Sequence, residues 1–217
     1  MKLSFSKLLL TAFTAVSAWA LALELRSMGN LTPLETRAHH MATSSLPHIF
    51  LSLRATQNAL LSCDAALSEP TSLLQPTSSF NLITQHCNRV AANTLRWMPS
   101  HGHAHFVAAL AAHQLGDTHG RAIHVENSQK NAPFEAWLAE RRFALAMNQI
   151  DISDRDTPGL RADIITLLST QSGAELLAAY YLRKPTSRSV LGSVAAGAVA
   201  EDRVRFLNQL WQKQAKT

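Results

Sequence analysis

The sequence predicts an all-α fold, on three observations. Alanine and leucine dominate an apolar content of 47%, while aromatics reach only 6%. Runs of Val, Ile, Thr and Tyr that would favour strands are nearly absent. Apolar residues instead recur at steps of three and four between prolines, the period of a helix face. At 217 residues the chain suits one N-terminal targeting segment followed by one domain.

Residues 1–25 read as that targeting segment and fall outside the fold. Lys2 and Lys7 supply a positive flank, and Leu8 to Leu23 is an uncharged, mostly apolar run that ends at Glu24. The run is 16 residues long, just short of the roughly 17–25 that span a bilayer. Ala18-Trp19-Ala20 and Ala20-Leu21-Ala22 both offer cleavage sites, so a retained signal anchor and a cleaved signal peptide are both open. Either exports the remainder, because the positive flank stays inside. The expected location is a bacterial inner membrane with the domain facing the periplasm, or the periplasm itself after cleavage. Residues 26–47 lack a sustained period, contain Gly29, Pro33 and Pro47, and read as a linker with one short helical turn over 34–41. The helical domain is expected over 48–217.

A first helix over 48–67 carries Leu53, Leu60, Cys63 and Leu67 on one face. Residues 68–79 connect, with Ser78 or Ser79 as a cap. The second helix has the clearest stripe: Phe80, Ile83, Cys87, Val90, Thr94 and Trp97, stopped by Pro99. Cys63 and Cys87 therefore lie on apolar faces of consecutive helices, within about one turn of each other in height. Two cysteines and no others in an exported chain predict one disulfide, worth about 3 kcal/mol for its loop. No C-x-x-C supports a redox role.

The next helices are expected over 103–115, before a Gly116-Asp117 turn, and over 118–131, before Pro133. Pro133 stands 34 residues after Pro99, a step that matches one helix–turn–helix repeat. In this stretch the chain resembles the tetratricopeptide repeat. Ala109 falls where that family has a small residue and Ala112 where it usually has tyrosine. Gly116-Asp117 matches the turn, Ser128 the small residue late in the second helix, and Pro133 the terminal proline. Cys87, Ala91, Thr94 and Pro99 match the preceding half-repeat. Arg121 departs from the family's alanine, and the large aromatic of the first helix is displaced to Phe106. The resemblance covers about residues 80–147. It implies a short helical solenoid or bundle with a surface for protein partners.

Residues 136–147 then start a following unit, containing Trp137, Glu140, Arg141, Arg142 and Phe143. A polar loop over 151–159 precedes helices over 160–169 and 174–182, split at Ser172-Gly173. Residues 187–199 are rich in small side chains, and Gly192 and Gly197 suggest close helix packing. Residues 200–214 form a terminal amphipathic helix whose Phe206, Leu207 and Leu210 continue an apolar face from Val199. It suits a capping helix with a polar outer face. Tyr180, Tyr181 and Trp211 read as core or interface aromatics.

The charge is uneven. Residues 1–182 balance, and the whole excess of +5 lies in residues 183–217. Six of the ten histidines fall within 101–124, among them His101, His103 and His105. Imidazoles at this density suit zinc, copper or nickel, but successive H-x-H side chains diverge by about 200° on a helix. A polar helix entrance with solvent-facing rings is the simpler expectation, and no metal site is assigned. Asp151, Asp154 and Asp156 lack the order, glycine and closing glutamate of a calcium loop. They read as helix caps and loop solvation. No G-x-S-x-G or phosphate-cradling loop occurs.

Together these features predict a non-enzymatic, membrane-tethered periplasmic interaction or scaffold protein, serving protein partners of a cell-envelope assembly, with no cofactor and no nucleic acid. Arg141, Arg142, Arg188, Arg203 and Arg205 are the candidate partner-binding side chains. An anionic glycan or other polyanion is the alternative ligand, suited to the basic C-terminal end.

Overall fold

Residues 12–19, 53–68, 77–148 and 157–215 are described in a computed structural model of the chain. Among them the secondary structure is helical, with no strand. No helix there is long and apolar enough to cross a membrane. Of the targeting segment only a helical stretch over 12–19 is described; the rest of that segment, the linker and Asp151, Asp154 and Asp156 lie outside the described residues. The chain divides into two compact units, 1–99 with 110–117, and 100–109 with 118–217.

In the first unit, α1 (Leu53–Ser68) packs against α2 (Thr77–Trp97). Leu60, Cys63 and Leu67 of α1 and Ile83, Cys87, Val90 and Ala91 of α2 are buried. The two sulfurs stand at disulfide distance, with Cα atoms 5.4 Å apart. Two buried threonines sit on α2 without cost because each hydroxyl donates to a carbonyl one turn back, Thr84 to Phe80 and Thr94 to Val90. Helix α2 starts at Thr77, so Ser78 and Ser79 lie inside it rather than capping it. The apolar stripe fails at both extremes: Leu53 and Trp97 are exposed, Trp97 by 75%. Their period is right, but among the described residues none covers the first turn of α1 or the last turn of α2 on that side.

Helix α3 (Gly102–Gln114) begins in the second unit and ends in the first. It is buried on every side from Gly102 to Ala112, as its run of alanines allows. Its end is a glycine cap. Gly116 takes a positive φ of 74°, its N–H donates to His113, and the Asp117 N–H reaches back to Ala112. The Gln114 amide donates to the Leu67 carbonyl at the end of α1.

The second unit continues through α4 (Thr118–Asn131), α5 (Ala136–Met147), α6 (Pro158–Leu168) and α7 (Gln171–Arg183), then a 3₁₀ turn (Pro185–Ser187), α8 (Arg188–Gly197) and α9 (Ala200–Gln214). Helix α5 packs on α6, α6 on α7, and α9 along α7. The shared core includes Phe143, Met147, Ile164, Leu167, Leu177, Leu191, Val194 and Phe206. Edge-to-face contacts join Phe143 to Tyr180 and Tyr181 to Phe206, at 5.0 and 6.0 Å. Two threonines start helices here: Thr157 accepts from the Leu160 N–H, with Pro158 at the first helical position, and Thr170 accepts from the Gly173 N–H. The α6–α7 break therefore falls at Ser169-Thr170, not Ser172-Gly173. A Cβ at Gly192 or Gly197 would meet open space, so these glycines do not serve close packing. On α9, Phe206 is buried but Val204, Leu207 and Trp211 are exposed. The outer face of the last helix thus mixes these apolar side chains with exposed Glu201, Arg203, Asn208, Gln212 and Gln214, and is less uniformly polar than expected of a capping helix.

Candidate functional site

The five arginines proposed for partner binding separate sharply. Arg141 is exposed and its neighbour Arg142 is only 1% exposed. Arg142 Nε donates to both oxygens of Asp163, at 3.1 and 2.9 Å, and Nη2 donates to Oδ1 at 2.6 Å. Nη1 donates to the Ser128 hydroxyl at 3.2 Å and Nη2 to the Ala132 carbonyl at 3.3 Å. Burial pushes the Asp163 carboxyl above its usual range, and the Arg142 guanidinium pulls it back. A buried guanidinium with its donors engaged this way is an internal clamp, unavailable to a partner. The reason lies in the helical period, which turns residue 142 inward where 141 faces out.

Three further candidates bind carbonyls at helix C-termini. Arg188 Nε donates to Tyr181 at the end of α7, and Arg203 Nη1 to Ala196 at the end of α8. Arg205 Nη1 donates to Leu168, the last residue of α6, at 2.7 Å, and also pairs with Asp202 and Glu201. Lys184 does the same for α5, reaching the Met147 carbonyl at 3.2 Å. Arg142, on the Ser128 and Ala132 carbonyls, serves α4. Each helix from α4 to α8 thus has a cation from a later segment at its carbonyl end, where the helix dipole and unbonded acceptors favour positive charge. Four of the seven basic residues over 183–217, namely Lys184, Arg188, Arg203 and Arg205, have this use, Arg188 and Arg203 from exposed positions.

What these contacts build is a held tip between α4 and α5. The Ala132 carbonyl accepts from Arg142, and the Pro133 carbonyl accepts from the Thr166 hydroxyl at 3.1 Å. On the other side, the Glu135 carbonyl accepts the N–H groups of Leu138 and Ala139 as α5 begins. Phe134, between these anchored residues, is 88% exposed. Trp137, one turn on, is partly exposed and meets the His103 ring edge-on at 4.9 Å. His101, which accepts the Ala104 N–H on Nδ1, completes this corner. Its pKa is lowered by burial and by the nearby His103, with Glu135 opposing. Phe134 was missed in the sequence because it belongs to no periodic face. A large aromatic between a helix-ending proline and the next helix is the signal that marks it.

Two of the histidines do not face solvent as expected: His103 and His105 are buried on a helix enclosed from Gly102 to Ala112, while His119 is exposed and His101, His113 and His124 are partly so. His105 instead meets His124 of α4, Nδ1 to Nδ1 at 3.2 Å. Among the described residues, no three His, Cys, Asp or Glu side chains converge to hold a metal ion. No family model matches this chain, and neither a curated protein nor a solved structure is significantly similar to it.

Proposed function

We propose that this chain is a non-enzymatic interaction protein whose partner contact centres on Phe134 and Trp137. The observation that carries this is an almost fully exposed phenylalanine on backbone held from both sides. A solvent-exposed aromatic contributes nothing to the fold, while a rigid aromatic anchor loses little entropy on binding and is typical of the residues that dominate interfaces. The helical-repeat reading fits the same region. Ala109 and Ser128 are fully buried, and a Cβ at Gly102 would stand 2.6 Å from the Ala132 Cβ. Paired helices of a tetratricopeptide-like unit need such small residues where they approach closely. The N-terminal apolar run suits a signal anchor at a bacterial inner membrane, or a cleaved signal peptide, with the domain in the periplasm either way, and the cysteine pair suits that oxidising compartment. A component of a cell-envelope assembly is the expected partner.

Site-specific photo-crosslinking in the native cells tests this. A crosslinker at position 134 or 137 is expected to trap one discrete, identifiable protein at high yield, while one at exposed Gln85 traps none. Equal, diffuse labelling from all three positions would defeat the proposal.

A further inference from the structure

We infer that His105 and His124 form a proton-governed latch on the α3–α4 hairpin, closed while the pair carries at most one added proton and opened by the second. This rests on the histidine geometry and not on the Phe134 reading. The two helices run antiparallel here: Gly102 lies against Ala132 and Ser128, and His105 against His124. That register turns Nδ1 of each ring toward the other at 3.2 Å, a hydrogen-bond distance. The rings are tilted by 37° with centroids 5.5 Å apart, so they meet through these nitrogens rather than through their faces.

A hydrogen bond between two like nitrogens fixes the proton count. In the neutral pair one ring carries its proton on Nδ1 and donates, while the other carries its proton on Nε2 and accepts. A first added proton enters at Nε2 of the donor ring, which leaves the bond intact and makes it charge-assisted. His124 is half-buried and His105 is buried, so the charge falls on His124 and His105 accepts. A second proton then has one place left, Nδ1 of His105, the acceptor itself. It replaces the bond by two N–H groups and two positive charges facing each other. Neighbours in this unit push the same way. Arg121, one turn before His124 and also half-buried, is a permanent cation, and His101, one turn before His105, interacts with it electrostatically. The acidic groups nearby are engaged elsewhere: Glu135 acts on His101, Glu126 pairs with Lys130 at the surface, and Asp163 is bound to Arg142. His103 is turned to Trp137, and His119 is exposed.

The latch therefore fails in acid. The open hairpin takes up the second proton freely and the closed one resists it, so closure weakens as pH falls below the ordinary imidazole range near about 6.5. The opening has a defined extent. Ser128 is the one buried residue of α4, and Arg142 holds Ser128 and the Ala132 carbonyl. The end of α4 stays clamped, and residues 118–127, which bury no apolar side chain against α3, are the part released.

The test follows the full chain from about pH 8 to about pH 4 by imidazole ¹H–¹⁵N spectra, and by amide hydrogen exchange corrected for its intrinsic pH dependence. The pair should titrate in two coupled steps more than about one pH unit apart, with Nδ1 of His105 unprotonated through the first. Exchange over residues 118–127 should quicken about tenfold for each unit by which the second step is held down, while α6 and α7 keep their rates. His124→Asn retains a donor and an acceptor that do not titrate, and should remove the acid quickening; His101→Gln should leave the two steps in place. If His124→Asn does not fold, the wild-type spectra decide. Independent single titrations of His105 and His124, an Nε2–H tautomer in both rings at about pH 8, or acid quickening that persists in His124→Asn would each overturn the latch.

Discussion

The two units hold their helices by different means. In the first, α1 and α2 meet along a narrow stripe and are joined across it by Cys63 and Cys87, each essentially inaccessible. In the second, α5 to α9 share a broad apolar core, a buried Arg142–Asp163 pair, and cations at successive helix ends. A two-helix hairpin buries too little apolar surface to be secure alone, so a covalent link substitutes for core. The larger unit has core enough, and uses polar contacts to fix where each helix stops. The difference teaches that the described cations at helix ends and the buried Arg142–Asp163 pair serve the architecture of the larger unit, while the smaller unit relies on its cysteine pair.

The comparison breaks most severely at the ion pair. Asp163→Ala leaves the Arg142 charge buried and uncompensated, and should cost about 3–5 kcal/mol in urea unfolding. The double change Arg142→Met with Asp163→Leu should recover much of that loss; if it is as damaging as the single, the pair does more than fill space. Replacing Cys63 and Cys87 by alanine should cost about 2–4 kcal/mol. Hydrogen exchange should quicken in α1 and α2 and stay unchanged in α6 and α7; uniform quickening would mean that the units do not differ as described. Gly102→Val forces a side chain against Ala132 and should cost about 1–3 kcal/mol, measured by thermal unfolding. Lys184→Ala should be milder, about 0.3–1 kcal/mol, with fraying at the end of α5 seen by amide exchange.

The smallest effect concerns pH. His101 has its pKa lowered in the folded chain by burial and by His103. As pH falls through the ordinary imidazole range near about 6.5, the unfolded chain takes up a proton that the folded chain resists. Stability from this group is therefore lost on acidification. The melting temperature should decline between about pH 8 and about pH 5, and His101→Gln should flatten part of that slope. An unchanged slope would assign the acid sensitivity to other groups.

Much of the fold was legible because its boundaries are written locally. Helices over Thr118–Asn131, Ala136–Met147 and Ala200–Gln214 begin and end where the sequence places them, since prolines, glycines and acidic first turns act within a few residues. The cysteine pairing was legible for the same reason: two adjacent helices with matched faces leave little choice. The site was not. Arg141 and Arg142 are identical in chemistry, and only the rotation of α5 separates a surface charge from a buried one. Asp163 is 21 residues from Arg142, and no local rule joins them. His105 and His124 met because the hairpin register brought them together, which spacing along one helix could not reveal.

By itself, then, the sequence determined the helical class, most helix limits, and which residues share each face, because these follow from short-range sterics, capping and periodicity. Only the tertiary structure decided which faces are covered. Trp97, Leu207 and Trp211 have the period of core residues and remain exposed, while Arg142 has the charge of a surface residue and is enclosed. Burial depends on what packs from elsewhere in the chain, and that is also what leaves Phe134 standing in solvent on a held backbone.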